Sequence, residues 1–528
     1  MKENNAMVSM NQQKKTEKIL YIAALVLAEF YLLVSVFRHF VPAYDRLIDI
    51  LQWYSLVLAL SALLYWFFVK RRELQSKEAK KNLLSRFGSY EQVYMVFVFF
   101  WYIITVALRQ YMEERNLFLA NDLWMYVTGM CAFLFFPFAR YVGREKAKRV
   151  IEFMLHTVII PYAVLATWII WNYFRMNYIT FPSGQQLMRE APAILCFTDL
   201  NHVRLGEQAL IMIGCSLYMT VTQKPGVKIV YGLCLFVNMI LLILANARTS
   251  WYMTSGMLAS AAFLLCWNRI ENRKQILRVA SGVLLAAIVV LCCHWLRGEV
   301  FNLLETVTVR ATETAELTKA TETKTTSDRI WQLQTLNQKE NGENCSESHP
   351  KAVLSALSAD ETESNEEYIR TIHNNHNQMI ERLKIYKACF FLMFTSRYRF
   401  LFGVTPADFG RTVLGVNHIK IAYGHAHNFF LQMGVSYGVP TMIATVVFAV
   451  SLLVRSIRIL FVNRKKLFPG AAIICLTVLF ILGNDMFSGR LNASPDFICT
   501  GFYWFAGWLV TLDMDTRTPK KSGKHAWF

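Results

Sequence analysis

Stretches of about twenty apolar residues recur along nearly the whole chain, and they constrain the fold more than any other feature of the sequence. An α-helix needs roughly that length to cross the hydrocarbon core of a bilayer. Hydrophobic residues make up 55% of the 528 positions. The chain is therefore predicted to be an all-α integral membrane protein.

Apolar length and charged flanks predict about twelve transmembrane helices. The predicted spans are roughly 18–37, 46–69, 90–110, 121–139, 150–172, 207–222, 227–246, 251–267, 276–296, 427–453, 467–483 and 497–512. Nine helices thus fall in residues 1–296 and three in residues 427–512, with a large extracytoplasmic loop over 297–426 between them and a cytoplasmic tail over 513–528.

The distribution of basic residues predicts the orientation. If the N-terminus is cytoplasmic, the inside segments hold 31 Lys and Arg residues, and the short outside loops hold 9. The positive-inside rule therefore places both termini in the cytoplasm and the large loop outside. The first apolar run is long enough to span and lacks a small-residue cleavage site, so we expect it to remain as a helix.

The large loop differs in composition from the rest of the chain. Residues 299–381 carry 15 acids and 7 bases, and the segment 339–367 has the polar, charged composition of a mobile segment. Cys196, Cys345 and Cys389 are predicted to lie in outer segments, and the spacing of the cysteines indicates neither a disulfide framework nor a metal site.

One segment at the end of this loop combines polar and apolar residues in an unusual way. In YGHAHNFFLQMGVSYGVP (423–440), His427 and Asn428 stand at the predicted outer N-terminus of a span. Backbone amides lack helical partners there, and the helix dipole favours anions. Gly434 and Gly438 form a small-xxx-small surface suited to close helix packing. Taken alone, a histidine at this position is also typical of a structural anchor, and His425 is a competing candidate.

Four arginines are predicted at the same outer face. Arg248 lies in LANARTSWY, Arg329 in TTSDRIWQL, and Arg189 and Arg204 in MREAPAILCFTDLNHVRLGE. Each one singly is also consistent with a phospholipid headgroup contact or a helix-end side chain that reaches to the membrane surface.

Taken together and in chain order, four motifs resemble the O-antigen ligase and polymerase family of membrane glycosyltransferases. The motifs are ARTS around Arg248, SDRIW around Arg329, LFGVTPADFG (401–410) and AHNFFLQMGVSYGVP (426–440). The resemblance implies a GT-C-like helical fold, an undecaprenyl-diphosphate-linked glycan as donor, inversion at the anomeric carbon, and neither metal nor other cofactor. It further implies a bacterial cytoplasmic membrane, with partners limited to the donor, a glycan or lipid-linked acceptor and membrane lipids, and no nucleic acid.

The chemistry of such a transfer explains the residue types. Charge develops on the departing diphosphate, and the planar guanidinium of arginine binds phosphate oxygens in a bidentate manner, a role that Arg248 and Arg329 fit. The acceptor hydroxyl must lose a proton, and the imidazole of His427 suits a base near neutral pH. Asn428 is predicted to orient His427 or to bind sugar, and Arg189, Asn201 and Arg204 are predicted to bind substrate.

Several alternatives stay open at this point. The transfer could be that of a polymerase or of a ligase, and the sequence does not specify the acceptor. A non-catalytic transporter or flippase of lipid-linked saccharide could use the arginines to bind diphosphate in transit, and a glycan receptor is a third class. Asp513 and Asp515 in LDMDT have the spacing of a metal-binding pair, but their place at the inner end of the last span predicts a solvated helix end.

Overall fold

The computed structural model consists almost entirely of helices. It describes residues 90–113, 144–175, 179–181, 186–190, 194–197, 202–269, 276–303 without 278, 306, 375–404, 426–462, 469–488 and 497–517, and isolated positions between 30 and 47. The predicted spans 46–69 and 121–139, most of 18–37, and loop residues 307–374 lie outside this part of the chain.

The described residues include twelve α-helices. They are α1 (Tyr90–Glu113), α2 (Arg144–Phe174), α3 (His202–Thr222), α4 (Pro225–Leu244), α5 (Arg248–Arg269), α6 (Val279–Leu303), α7 (Asn375–Phe394), α8 (Arg397–Phe402), α9 (Phe429–Tyr437), α10 (Val439–Ile457), α11 (Pro469–Ser488) and α12 (Phe497–Arg517). A π-helical segment, Arg458–Val462, continues α10. Helix α6 runs past the predicted end of its span at 296 and reaches Leu303.

By length and apolar composition, five helical stretches within the described residues can cross a membrane. They are Ile151–Phe174, Pro225–Leu244, Val279–Leu303, Val439–Phe461 and Gly470–Phe487. Helix α1 adds a shorter apolar stretch, Val93–Leu108. The prediction of an integral membrane protein is therefore confirmed, while the number of twelve spans stays a prediction.

A short hairpin is an exception to the predicted all-α class. Strand β1 (Leu187–Glu190) pairs antiparallel with β2 (Ile194–Phe197), with Met188 opposite Cys196. Leu187 and Leu195 from the two strands are buried against the helices. This pairing provides hydrogen-bond partners for backbone groups of both strands. Strands of four residues show too little alternation of apolar and polar residues to be predicted from the sequence.

Helix α3 is the central helix of the described bundle. It packs against α2, α4, α5, α11 and α12, and most of its residues are buried. Gly214 allows α11 to approach closely, since a Cβ atom at this position would lie 2.7 Å from Cγ2 of Thr477. Because α3, α5 and α11 are in direct contact, their polar residues at one end of the bundle come together.

The predicted continuous span 427–453 is wrong in one respect, because it is broken at Gly438. This residue ends α9 and begins α10 with φ of 91°, and a Cβ atom there would lie 2.0 Å from the carbonyl oxygen of Leu401. Only glycine adopts this backbone conformation readily. Close packing at Gly434 and Gly438 is confirmed, since a Cβ at Gly434 would lie 2.5 Å from Sδ of Met393.

The expectation of a solvated helix end at Asp513 is wrong. Asp513 is fully buried, and its Oδ2 accepts hydrogen bonds from Arg455 Nη1 at 2.7 Å and Arg458 Nη1 at 3.3 Å. Arg455 also binds both carboxylate oxygens of Glu91, through Nε at 2.6 Å and Nη2 at 3.0 Å, and Ser451 Oγ donates to the same carboxylate. The two acids and two bases neutralise one another and join α1, α10 and α12. We call this group the inner ionic cluster, because the orientation predicted from the sequence places it at the cytoplasmic side.

Candidate functional site

A second polar cluster lies at the opposite end of the bundle, where α3, α5 and α9 begin and α11 ends. Asn484 of α11 is its centre: the side-chain oxygen accepts a hydrogen bond from Ser250 Oγ at 3.0 Å, and Nδ2 donates to Glu207 Oε1 at 3.2 Å. Glu207, Asn484 and Ser250 are 2%, 3% and 1% exposed. One buried amide near the C-terminus of α11 therefore ties this helix to the N-terminal turns of α3 and α5.

Asn428 connects α9 to the same turn of α11. Its Oδ1 caps α9 by accepting from the backbone N–H of Leu431 at 3.1 Å, and its Nδ2 donates to the carbonyl oxygen of Met486 at 3.1 Å. An asparagine cap satisfies one of the amides that a helix N-terminus leaves without a partner. The side chain is thus engaged with the backbone on both of its polar atoms, which favours the orienting role over direct sugar binding.

These bonds bring the two central predicted residues to the same place. Arg248 begins α5 two residues before Ser250, and His427 directly precedes Asn428. Both are therefore held near residues 484–486 of α11, although they lie 179 positions apart in the sequence. Arg248 is exposed and His427 is half-buried, so both side chains lie where a ligand can reach them.

Two residues at this end of the bundle have an unusual backbone conformation. Among the described residues other than glycine, Asn246 and His427 have positive φ, 47° and 51°. The left-handed region costs an ordinary residue about 1–2 kcal/mol and is often found at functional sites. Asn246 is held by Arg297, whose Nη2 donates to its Oδ1 at 3.1 Å. The turn that precedes Arg248 is thereby tied to α6.

Tyr386 and Gln432 bind the backbone at His427 and at the neighbouring Ala426, respectively. Tyr386 Oη of α7 donates to the carbonyl oxygen of His427 at 3.0 Å. Burial raises the pKa of Tyr386 above its ordinary value, so the phenol stays protonated as a donor at neutral pH. The backbone N–H of Ala426 donates to Gln432 Oε1 at 2.6 Å, and Gln432 Nε2 donates to Ser436 Oγ at 3.0 Å.

The structure describes the other predicted site residues only in part. Arg204 lies in the first turn of α3, one turn before Glu207, and is half-buried. Arg189 contributes its backbone to β1, opposite Leu195. Arg329, Asn201 and the competing His425 lie outside the described residues. The structure thus brings Arg204, Arg248, His427 and Asn428 to one end of the bundle.

Several features of this end favour an anion, beside the buried carboxyl groups of Glu207 and Asp485. The N-termini of three helices, α3, α5 and α9, meet there, and each carries a partial positive charge from its unpaired amides. Arg248 adds a full charge at one of them. Within the described residues, no group of three or more His, Cys, Asp or Glu side chains is arranged to hold a metal ion.

An apolar cleft of about 790 Å³ leads away from the polar cluster between α5, α6 and α11. Its lining includes Gly483 and Met253 near the cluster and reaches Phe461 of the π-helical segment at its far end. Helix α6 forms one wall while only 11% of its apolar stretch is buried. The cleft therefore opens to whatever surrounds the helices.

The buried polar residues of the cluster were not found by sequence reasoning, although a signal was present. Glu207, Asn484 and Asp485 are each no more than 3% exposed and lie in or beside apolar runs such as ILGNDMF. Ionisable and amide groups inside a membrane helix are costly and mark functional or structural sites. Cys389, which was predicted to lie in an outer segment, is fully buried against α9, and burial raises its pKa to about 12.

One of the comparisons with known proteins finds a family match over part of the chain. Residues 232–446 match the family described as O-antigen ligase, a range that includes Arg248, Arg329, His427 and Asn428. Arg189, Asn201 and Arg204 precede it. The search of curated proteins finds no significant match. The match over residues 232–446 supports the resemblance of the motifs at Arg248, Arg329 and 401–440 to the O-antigen ligase and polymerase family.

Proposed function

We propose that the protein is a membrane glycosyltransferase that moves a glycan from an undecaprenyl-diphosphate donor to a sugar hydroxyl of an acceptor. The reaction takes place at the end of the bundle that holds Arg248 and His427, on the outer face of the bacterial cytoplasmic membrane, beneath the 297–426 loop. The O-antigen ligase match over 232–446 supports this class of enzyme. Catalysis requires neither a metal ion nor another cofactor.

One observation carries the proposal. The hydrogen bonds of Ser250 to Asn484 and of Asn428 to Met486 hold an arginine and a histidine, distant in sequence, beside the same turn of α11. A cation that binds diphosphate and a base that accepts a proton are the two groups that direct glycosyl transfer requires. Neither residue by itself would distinguish an enzyme from a lipid-contacting surface.

Arg248 binds the diphosphate of the donor, together with Arg329 from the loop. The anomeric C–O bond breaks, its electron pair stays with the diphosphate, and the guanidinium groups stabilise the added charge. The amides of the first turn of α5 reinforce this effect, because the N-terminus of a helix favours an anion. The same positive charges also bind the donor before the reaction. Only the additional attraction to the charge that develops in the transition state accelerates the transfer.

His427 removes the proton of the attacking hydroxyl while its oxygen forms the new bond to the anomeric carbon. Attack from the face opposite the diphosphate inverts the anomeric centre. The left-handed backbone of His427, fixed by Tyr386 and by the Asn428 cap, sets the direction of the imidazole. Asn428 thus acts by orienting His427, and Arg189, Asn201 and Arg204 bind the donor or the acceptor.

The apolar cleft supports a lipid-linked donor. It begins beside Asn484, is lined by side chains such as Phe263, Val290 and Phe480, and lies between helices that can cross a membrane. A polyprenyl chain needs an apolar path next to the site at which its diphosphate is bound. The position of the cleft is consistent with such a path.

The decisive test is an assay of the purified protein in detergent with lipid-linked glycan and a candidate acceptor, with products resolved by gel and mass. The unmutated protein is expected to form a larger glycan. His427→Ala should lower the chemical step by about 10²- to 10⁴-fold, the range for a lost general base, while donor binding persists. His425→Ala is the matched control and should have a much milder effect.

The same assay separates the alternatives. A transporter forms no glycosidic bond in detergent, where no compartments exist, so the absence of product with authentic donor and acceptor would favour transport. Normal turnover of His427→Ala would remove the histidine from the mechanism. A polymerase extends the lipid-linked glycan itself, whereas a ligase forms product only when a different acceptor is supplied.

A further inference from the structure

Helix α7 is apolar on two opposite faces. One face, with Ile385, Ala388, Cys389 and Leu392, is buried in a cluster with residues of α9. At 100° per residue, the opposite face carries apolar side chains that remain exposed. These are Leu383 at 56%, Phe390 at 49%, Phe391 at 61% and Phe394 at 60% exposure.

The exposed apolar face continues into α8. The rings of Phe394 and Phe400 lie 5.6 Å apart across the turn at Thr395 and Ser396, and Leu401 is 41% exposed beside them. We call this continuous surface of α7 and α8 the aromatic elbow. A contiguous apolar surface of this kind is unusual on a part of a protein that faces water.

Basic residues surround the aromatic elbow. Residues 382–402 include five bases and no acid, in contrast to the excess of acids over 299–381. Lys384, Lys387 and Arg397 are exposed. Long basic side chains lay their methylene groups along apolar surface and extend the charge to a phosphate layer. The pattern of aromatic and basic groups is typical of a helix that lies in a membrane interface.

The location of α8 supports a membrane partner. Its last residue, Phe402, stacks on Trp101 of α1 at 5.5 Å, and Trp101 Nε1 donates to the carbonyl oxygen of Tyr437 at 2.9 Å. Val404 N–H bonds to the carbonyl oxygen of Val435 at 2.7 Å. These contacts attach the aromatic elbow to the break at Gly438, directly before Val439–Phe461, a stretch that can cross a membrane.

We propose that the aromatic elbow is an interfacial membrane anchor. Its aromatic side chains enter the bilayer at the end of the bundle that holds His427, and its bases bind the phosphates of anionic lipids. Because α7 also holds the His427 carbonyl through Tyr386, the anchor fixes the height of that residue above the hydrocarbon core. The proposal does not depend on the glycan chemistry.

The test replaces Phe391 or Phe394, one at a time, with the photoreactive residue p-benzoylphenylalanine. The full-length protein is reconstituted in phosphatidylcholine vesicles that contain phosphatidylglycerol, irradiated and analysed by mass spectrometry. Both positions are expected to form lipid adducts. Phe153, 63% exposed on the candidate span of α2, is the positive control, and the buried Phe429 is the control that should react only with protein.

A second arm tests the bases. Phosphatidylglycerol should be enriched in the adducts by at least about twofold over its share in the vesicles, since juxtamembrane bases attract anionic lipid. Lys387→Glu combined with Arg397→Glu should abolish this enrichment, and Lys387→Arg with Arg397→Lys should retain it. Adducts only with this chain, for example with its acidic 339–367 segment, or no adducts where Phe153 forms them, would overturn the proposal.

Discussion

The two ends of the helix bundle use charge in opposite ways. At the inner ionic cluster, Arg455, Arg458, Glu91 and Asp513 are paired with one another, and Glu91 and Asp513 are fully buried. At the end that holds His427, the helices are joined through the amides of Asn484 and Asn428 and the hydroxyl of Ser250, and Asn484 also binds the carboxyl group of Glu207. Arg248 remains exposed there.

This difference separates structural charge from charge that is available to a ligand. A buried guanidinium that already binds two carboxylates has no capacity left for a phosphate, and its loss leaves unpaired charges in the interior. The hydrogen bonds of Asn484 and Asn428 align the helix ends at the other end of the bundle, where the Arg248 side chain is exposed. The comparison therefore predicts that mutations of the paired charges in the inner ionic cluster lower stability, while mutation of the exposed Arg248 lowers activity.

The largest effect is expected at the inner cluster. Arg455→Met leaves Glu91 and Asp513 without their main partner and should reduce the free energy of unfolding by about 3–5 kcal/mol. The measurement is thermal unfolding in detergent. Converting the acids as well, in Arg455→Met with Glu91→Gln and Asp513→Asn, should recover part of the loss; no recovery would show that packing, and not charge, dominates.

A comparable loss at the opposite end should appear in activity only. Arg248→Lys replaces a bidentate fork with a point charge and should lower turnover by about 10²- to 10³-fold, the scale for losing one donor to a developing oxyanion. Its unfolding temperature should stay near that of the unmutated protein, because Arg248 is exposed. A large fall in stability with normal turnover in the folded fraction would contradict the distinction between the ends.

The break between α9 and α10 should be sensitive to a single methyl group. Gly438→Ala imposes a side chain at φ of 91° and places Cβ 2.0 Å from the carbonyl oxygen of Leu401. The expected loss is about 2–3 kcal/mol of stability. Gly226→Ala, in α4 with no atom within 4 Å of its Cβ, is the matched control and should be neutral or slightly stabilising in the same unfolding assay.

The smallest effect is expected for the cap that orients His427. Asn428→Ala should cost about 1 kcal/mol of stability. Asn428→Asp keeps the capping oxygen but cannot donate to Met486, so it should regain the stability of the cap and not the full turnover. Equal turnover of the two variants at several pH values would indicate that the Met486 contact does not affect the histidine.

The sequence indicated candidate site residues but not the residues that surround them. The resemblance of ARTS and AHNFFLQMGVSYGVP to one family singled out Arg248, His427 and Asn428, and the capping position of Asn428 follows from its place before an apolar run. Asn484 and Glu207 were missed because their bonds join residues 277 positions apart. No local pattern reveals which polar residue of one span faces which residue of another.

The length of the apolar runs in the sequence is enough to place this chain in a membrane. Backbone N–H and C=O groups in hydrocarbon must be paired within the protein, so a long apolar run forms a helix. The tertiary structure showed where such a run breaks, at a Gly-Val-Pro sequence that disfavours a continuous helix. Residues 427–453 form one apolar stretch by composition, yet the approach of Leu401 to Gly438 divides it into α9 and α10. It also decided that Asp513 is buried, because its partner Arg455 comes from a different helix. Burial depends on neighbours distant in sequence, whereas span length depends only on consecutive residues.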